Sequence, residues 1–296
     1  MTFASEPTQA PLPTRTLLAD FSMEMTGKDV PALSEAAADE VIPAGTRIHV
    51  TYLATEDLQT RLSAADRIRQ LGFVPVPHIS ARRMDDEGVL REYLGALQSI
   101  DASSSVFVIG GDPPQAEGPF DDALSVIRTG LLEQFGVGSV GISGYPEGHP
   151  DIAEEVLWRA LEDKCAELAA RSLEATIVTQ FTFDAGPVLD WTEAVRARGI
   201  TLPIRIGVPG PAGVKRLLAY ARRFGVGTST EVVRKYGFSL TNLLGTAGPE
   251  RFLHALAAGY DPARHGELKL HFYAFGGLRE TAGWVSAFER DGDDER

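Results

Sequence analysis

Ser139-Val140-Gly141-Ile142-Ser143-Gly144-Tyr145-Pro146-Glu147-Gly148-His149-Pro150 is a β-branched, apolar run that stops in a turn of Gly, Pro and hydrogen-bonding side chains. Asp151 then opens a helical pattern. A short apolar run closed by Gly and Pro reads as a buried strand followed by a loop. Strand end, polar loop and helix start form the place where α/β proteins set their ligands. A plain strand-to-helix turn would account for the Gly and Pro residues. It would not account for Tyr145 and His149 placed around Glu147, so the stretch is read as functional.

The same unit recurs along the chain. Apolar runs ending in turn chemistry occupy Arg47 to Leu53, Val74 to Ser80, Ser105 to Gly111, Ser139 to Tyr145, Ala175 to Phe183, Pro203 to Gly210 and Leu268 to Phe275. Thr16 to Glu24 reads as a first strand that ends in a carboxylate. Helical spacing fills the gaps, at Leu58 to Leu71, Leu90 to Ile100, Ala123 to Phe135, Ile152 to Arg171, Val188 to Arg198 and Val214 to Phe224. Strands alternating with helices make parallel βαβ units, and eight of them predict an α/β fold, a (β/α)8 TIM barrel. An open doubly wound sheet competes, because it too buries near-continuous apolar strands. The count of eight decides for the barrel.

The expected organisation is a flexible N-terminal arm over residues 1–15, one catalytic barrel domain over 16–288 and a solvated acidic tail over 289–296. Thr230 to Ala258 is longer than one crossover helix requires, so an extra helix is expected before the eighth strand, and Leu278 to Phe288 reads as the final helix.

A chain of 296 residues buries a real core without staples, and its single cysteine, Cys165, excludes an internal disulfide or a Cys-cluster metal site. A formal charge of −13 argues against nucleic acid or an anionic membrane surface as the main partner. No stretch reaches the roughly 18 apolar residues of a membrane span, and the N-terminus lacks signal-peptide character. The expected location is therefore cytoplasmic, with homo-oligomerisation left open.

Several motifs are rejected on placement. Gly136-Val137-Gly138-Ser139-Val140-Gly141 matches G-x-G-x-x-G, but it precedes a strand instead of joining strand to helix. The histidines show no metal-ligand spacing, so no metal is expected, and Ser143 lacks the nucleophile elbow. In a barrel all strand C-terminal ends share one mouth. Collected there are Glu24, Thr51, Tyr52, His78, Ser80, Gly110, Gly111, Asp112, Tyr145, His149, Thr179, Gln180, His271 and Tyr273. Thr51, Ser80, Thr179 and His271 have an ordinary reading as strand residues. Glu24, Asp112 and Gln180 do not, because acids and amides inside apolar runs cost several kcal/mol unless paired or facing a ligand cavity. Two acids beside Gly-Gly point to a flat ligand close to backbone, with a carboxyl free to act as general acid.

In this order the motifs Phe21-Ser22-Met23-Glu24, Val50-Thr51-Tyr52, Pro77-His78-Ile79-Ser80, Gly111-Asp112-Pro113-Pro114, Gly144-Tyr145-Pro146-Glu147-Gly148-His149-Pro150, Ile177-Val178-Thr179-Gln180-Phe181 and His271-Phe272-Tyr273 resemble the methylenetetrahydrofolate reductase family. The resemblance implies a flavin-bearing barrel that interconverts 5,10-methylenetetrahydrofolate and 5-methyltetrahydrofolate. FAD would carry hydride, with NADH or NADPH as donor or acceptor. Glu24 matches the family's general acid, and a carboxyl kept protonated in a semi-enclosed mouth suits opening of the folate ring. Asp112 matches the residue beside flavin and pterin, and Gln180 the amide that reads the pterin edge. Thr51, His78, Gly110, Gly111, Tyr145 and His149 match flavin-contacting positions, and Tyr273 a mouth-lining aromatic.

The chain also departs from that pattern. Gly110 stands where an Arg is common, and Ala169 where a Lys is common on the helix before the Thr-Gln strand, a role that Lys164 takes after realignment by one helical turn. Ala274-Phe275-Gly276-Gly277 replaces a typical Asn-Arg pair. Arg82, Arg83, Lys215, Arg216 and Arg279 are candidate replacement cations for a phosphate or the folate tail. Two alternatives stay open at this point: a folate-dependent methyl carrier or methyltransferase without redox chemistry, and a non-catalytic folate- or flavin-binding protein.

Overall fold

The computed structural model describes residues 14–226 and 245–294. Almost all of the expected N-terminal arm, and residues 230–244 of the region expected to hold an extra helix, lie outside the described residues. The strands are β1 (Ser22–Met25), β2 (Arg47–Val50), β3 (Val74–Ser80), β4 (Ser105–Ile109), β5 (Ser139–Gly144), β6 (Glu174–Phe181), β7 (Ile204–Pro209), β8 (Ala212–Gly213), β9 (Thr246–Ala247) and β10 (Leu268–Tyr273). Eight of them close a parallel barrel in the order β1-β10-β7-β6-β5-β4-β3-β2, while β8 and β9 pair antiparallel as a separate clip.

Helices α1 (Thr14–Leu18), α2 (Val30–Ala38), α3 (Leu58–Gln70), α4 (Glu87–Ser99), α5 (Ala123–Ile127), α6 (Leu131–Gln134), α7 (Glu154–Ala170), α8 (Ala185–Ala197), α9 (Val214–Phe224), α10 (Glu250–Gly259), α11 (Pro262–His265) and α12 (Leu278–Asp294) accompany the barrel. Aspartates fix several of their starts. Asp57, Asp86, Asp122 and Asp184 each cap a helix by accepting from Thr60, Val89, Ser125 and Gly186 backbone N–H at 2.8, 2.9, 2.8 and 3.2 Å. Each cap contributes about 1 kcal/mol and marks where a mouth loop ends. More than one described helix separates β7 from the last barrel strand, among them α10 and α11.

Alternation along the strands divides the interior in two. Met23, Ile48, Val50, Ile79, Val108, Ile142, Ile206 and Phe272 belong to one large core shared with the helices. Val76, Phe107 and Val178 form a second, small cluster. Around Phe107 gather the buried rings of His49 and His78, with His271 beyond His49. Gly141 makes room for this filling, since a Cβ there would lie 2.7 Å from the Phe107 ring.

Three sequence expectations are corrected. The run from Thr16 to Glu24 is not one strand: α1 occupies Thr14–Leu18, and β1 starts only at Ser22. Leu17 and Leu18 are both buried, which a helix allows on one broad face, and Asp20, at φ 58°, turns the chain into β1. The single helix expected over Ala123 to Phe135 is broken into α5 and α6 at Gly130, whose φ of 75° no α-helix continues. The final helix runs through the expected tail to Asp294, because acidic charge alone, without proline, does not stop a helix. Among the described residues no helix is long and apolar enough to cross a membrane.

Candidate functional site

Glu24 lies on β1, one residue before its C-terminal end, opposite His49 of β2. Its side chain keeps 19% of its surface exposed, and Oε2 stands 3.8 Å from Nε2 of the buried His271. His271 Nδ1 is 2.9 Å from Ser22 Oγ, with Ser22 directly in register across β1 and β10. Tyr273, two residues further along β10, donates its hydroxyl to the Thr179 carbonyl at 3.0 Å, and its ring meets the His271 ring at 5.1 Å. Burial holds the Tyr273 hydroxyl well above its ordinary range, reinforced by Glu24 and Tyr145. Glu24, His271, Tyr273 and Tyr145 therefore share one end of the barrel.

Beneath them, the His49 and His271 rings lie 4.5 Å apart, and His49 Nδ1 is 3.2 Å from His78 Nε2. Burial pushes the His78 ring down to about 3, and it lowers His49 and His271 as well. All three rings are neutral at ordinary pH. His78 Nδ1 is buried with no hydrogen-bond partner among the described residues.

The loop after β4 supplies a second group. Gly111 takes φ 95°, and a Cβ there would collide with Ser80 Oγ of β3, so only glycine lets this turn lie against the strand. Gly110 accepts from the Arg82 backbone N–H at 2.9 Å. Asp112, with 70% of its side chain exposed, receives two bonds from Arg83, at 2.8 and 3.0 Å. Arg83 also reaches Glu117 at 3.3 Å, while Arg82 donates to the Asp121 and Pro113 carbonyls. Both arginines are thus committed to shaping this loop. Thr51 is tied to the end of β1 by donating to the Met25 carbonyl at 3.0 Å. Gln180 accepts from the Phe181 N–H at 3.1 Å beside a register shift in β6.

Between the loop after β5 and helices α7 and α8 opens a cavity of about 450 Å³, lined by Tyr145, Glu147, His149, Trp158, Leu161 and Trp191, among others. Trp158 and Trp191 stack at 5.8 Å, and Thr182 Oγ1 donates to Glu147, joining the loops after β5 and β6. Tyr145 and His149 meet edge to face at 5.6 Å. The lining carries the carboxylates Glu147 and Glu154 and, among the described residues, no Lys or Arg. Lys164 lies one turn beyond Leu161, buried on the inward face of α7. Burial lowers its ammonium to about 8, with Cys165 and Asp122 nearby.

Sequence reasoning treated His271 as an ordinary strand residue and singled out neither Ser22 nor His49. The available signal was period 2: Ser22 with Glu24, and His271 with Tyr273, alternate onto one face of their strands. Among the described residues no cluster of three or more His, Cys, Asp or Glu is arranged to hold a metal.

The family model described as methylenetetrahydrofolate reductase matches residues 16–234. Methylenetetrahydrofolate reductase 2 of Saccharomyces cerevisiae is 26% identical over 188 residues, covering 59% of this chain and 28% of that protein. Methylenetetrahydrofolate reductase (NADH) 1 of Zea mays is 29% identical over 221 residues, covering 63% of this chain and 35% of that protein. The chain thus matches about a third of the length of these relatives. A solved structure, an uncharacterized protein from Clostridium thermocellum that binds two copies of 5-methyl-5,6,7,8-tetrahydrofolic acid, superposes with a TM-score of 0.58 at 10% identity, covering 93% of this chain and 95% of that one. At that identity the likeness speaks for the barrel alone.

Proposed function

The chain belongs to the methylenetetrahydrofolate reductase family, and from that premise we propose that it is an oxidoreductase interconverting 5,10-methylenetetrahydrofolate and 5-methyltetrahydrofolate, with NADH or NADPH as the hydride partner. The observation that carries this reading is Glu24, a half-buried carboxyl at the barrel mouth backed by His271. In the reducing direction Glu24 gives its proton to N10 as the N10–methylene bond breaks, leaving the N5 iminium. Hydride then adds to the methylene carbon and makes the methyl group; the dihydronicotinamide is oxidised by two electrons, and solvent reprotonates Glu24. Such proton transfer contributes typically 10²- to 10⁴-fold. Asp112 and Gln180 read the pterin edge and Tyr273 lines its pocket, while Thr51, His78, Gly110, Gly111, Tyr145 and His149 face the hydride partner.

The family implies FAD between the two substrates. Its ring would meet Thr51, His78, the Gly110–Asp112 turn and Tyr145. What argues against a resident FAD is the other end: among the described residues, the lining of the adjoining cavity carries Glu147 and Glu154 and no Lys or Arg for a diphosphate. Arg82 and Arg83 are engaged elsewhere, and Lys164 is buried on α7 with its ammonium disfavoured. Charge-assisted bonds contribute roughly 1.5–3 kcal/mol each, and a cofactor that must stay bound needs them. A nicotinamide that leaves after each turnover does not. The described residues therefore do not fit a tightly held FAD, and hydride passes directly from nicotinamide C4 to folate.

The test uses NADH or NADPH deuterated at both C4 positions with 5,10-methylenetetrahydrofolate, and mass spectrometry of the product methyl. Direct transfer keeps the label in full, whereas passage through a flavin nitrogen lets it exchange with water. Full retention, from protein lacking absorbance near about 370 and 450 nm after FAD loading and desalting, is expected. Bound flavin that bleaches with anaerobic 5-methyltetrahydrofolate would restore the flavin route. Glu24→Gln is expected to lower turnover by about 100-fold or more while leaving nicotinamide binding, followed by fluorescence, intact.

A further inference from the structure

His271 stands between two residues of one strand. Its Nδ1 faces Ser22 Oγ at 2.9 Å and its Nε2 faces Glu24 Oε2 at 3.8 Å, while Ser22 Oγ is also 3.5 Å from the Leu270 carbonyl. The charged and titratable groups around the ring are Glu24 from β1, His49 from β2, His78 from β3, Arg205 from β7 and Tyr273 from its own strand. Arg205 is already paired with Asp20 at 2.8 Å. Burial outweighs the pull of Glu24 and lowers the ring, so His271 is neutral and carries one N–H.

Which nitrogen carries it decides what Glu24 meets. A serine hydroxyl that donates to the Leu270 carbonyl accepts from Nδ1–H, and the Nε2 lone pair then faces the carboxyl. If the proton sat on Nε2, the ring would donate to Glu24 and favour its ionised form. The Leu270 carbonyl, 3.5 Å from Ser22 Oγ, favours the first arrangement by taking the hydroxyl proton and leaving an oxygen lone pair for Nδ1–H.

We propose that Ser22 and His271 form the positioning pair of the general acid: Ser22 fixes the Nδ1–H tautomer, and the Nε2 lone pair accepts a hydrogen bond from the protonated Glu24 carboxyl, which keeps the carboxyl protonated and in place until N10 of the substrate takes the proton. The 3.8 Å approach closes by a small rotation of the partly exposed Glu24, as catalytic hydrogen bonds tighten on substrate binding. Neither residue touches the reacting atoms.

The inference rests on Glu24 being the acid, and one set of pH–rate profiles tests both. Reduction of 5,10-methylenetetrahydrofolate is measured with saturating NADH or NADPH for the wild type, Ser22→Ala, Ser22→Thr and Glu24→Gln, each checked for an unchanged thermal melt. In Ser22→Ala the ring is free to carry its proton on Nε2, so the pH at which the rate falls to half on the alkaline side moves down by about one unit, and turnover above it drops about tenfold. Ser22→Thr, which keeps the hydroxyl, restores the wild-type midpoint. A uniform loss in Ser22→Ala at every pH, with the midpoint unmoved, overturns the positioning role while Glu24→Gln still fails. Full activity of Glu24→Gln overturns the assignment of the acid, and the positioning role with it. His271→Asn, if it melts like the wild type, is expected to shift the midpoint in the same direction as Ser22→Ala.

Discussion

Acid is predicted to weaken this fold through its barrel interior, and His78 sets the size of the effect. Its ring is held at about 3, against 6.5 for a free imidazole. Because the folded value is depressed, the unfolded chain binds the extra proton as soon as pH drops below 6.5. The stability present above 6.5 is therefore lost progressively between 6.5 and about 3. At about pH 4.5, two units into that window, the loss from this one ring is about 2.7 kcal/mol, at about 1.36 kcal/mol per unit. His49 and His271 are shifted in the same direction and steepen the decline further. The assay is urea unfolding of the wild type and His78→Gln at about pH 7.5 and about pH 4.5, compared as midpoint times slope. His78→Gln starts less stable, but between the two conditions it loses about 2.7 kcal/mol less than the wild type. Equal losses in the two proteins would refute the claim that this ring is kept neutral by the fold.

Two further substitutions probe packing. Lys164→Met is expected to stabilise the protein by about 1–3 kcal/mol at neutral pH, since the ammonium is held near 8 instead of 10.5, and the advantage shrinks as pH rises from about 8 to 10.5 and the wild type recovers; a variant weaker than the wild type in a neutral thermal melt would reveal a partner for the charge. Gly144→Ala is expected to cost about 1–3 kcal/mol, because the new methyl would lie 2.5 Å from Trp191 Cη2 and 2.9 Å from Ile177 Cγ2. An unchanged melt, with shifted tryptophan emission, would mean that Trp191 swings aside.

What could be read in advance, and what could not, follows from the range of the interactions. The barrel was legible because strand and helix periodicity are local, and because each apolar run ends in its own turn chemistry. The break at Gly130 was less so, since a glycine inside an apolar helical pattern is tolerated as often as it ends one. The role of Ser22 and His271 was not legible. They are 249 positions apart and meet only because the first and last barrel strands close on each other. The burial of Lys164 had a local signal: Leu161, Lys164 and Leu168 mark the inward face of α7, so the position proposed for a cation is also a buried one. Arg83 lay among several surface-charge candidates until the fold put it against Asp112.

The short clip of β8 and β9 bears on how the candidate site is held. It joins Ala212 to Ala247 and Gly213 to Thr246, and the Val214 N–H adds a bond to the Gly245 carbonyl at 3.1 Å. The chain just after β7 is thereby tied to residues 245–247, immediately ahead of α10. Because α9 starts at the clip and ends beside Gly225, which lines the cavity and packs on Pro150, two residue pairs outside the barrel anchor one wall of the candidate site while the strands that carry Glu24 and His271 keep their own register.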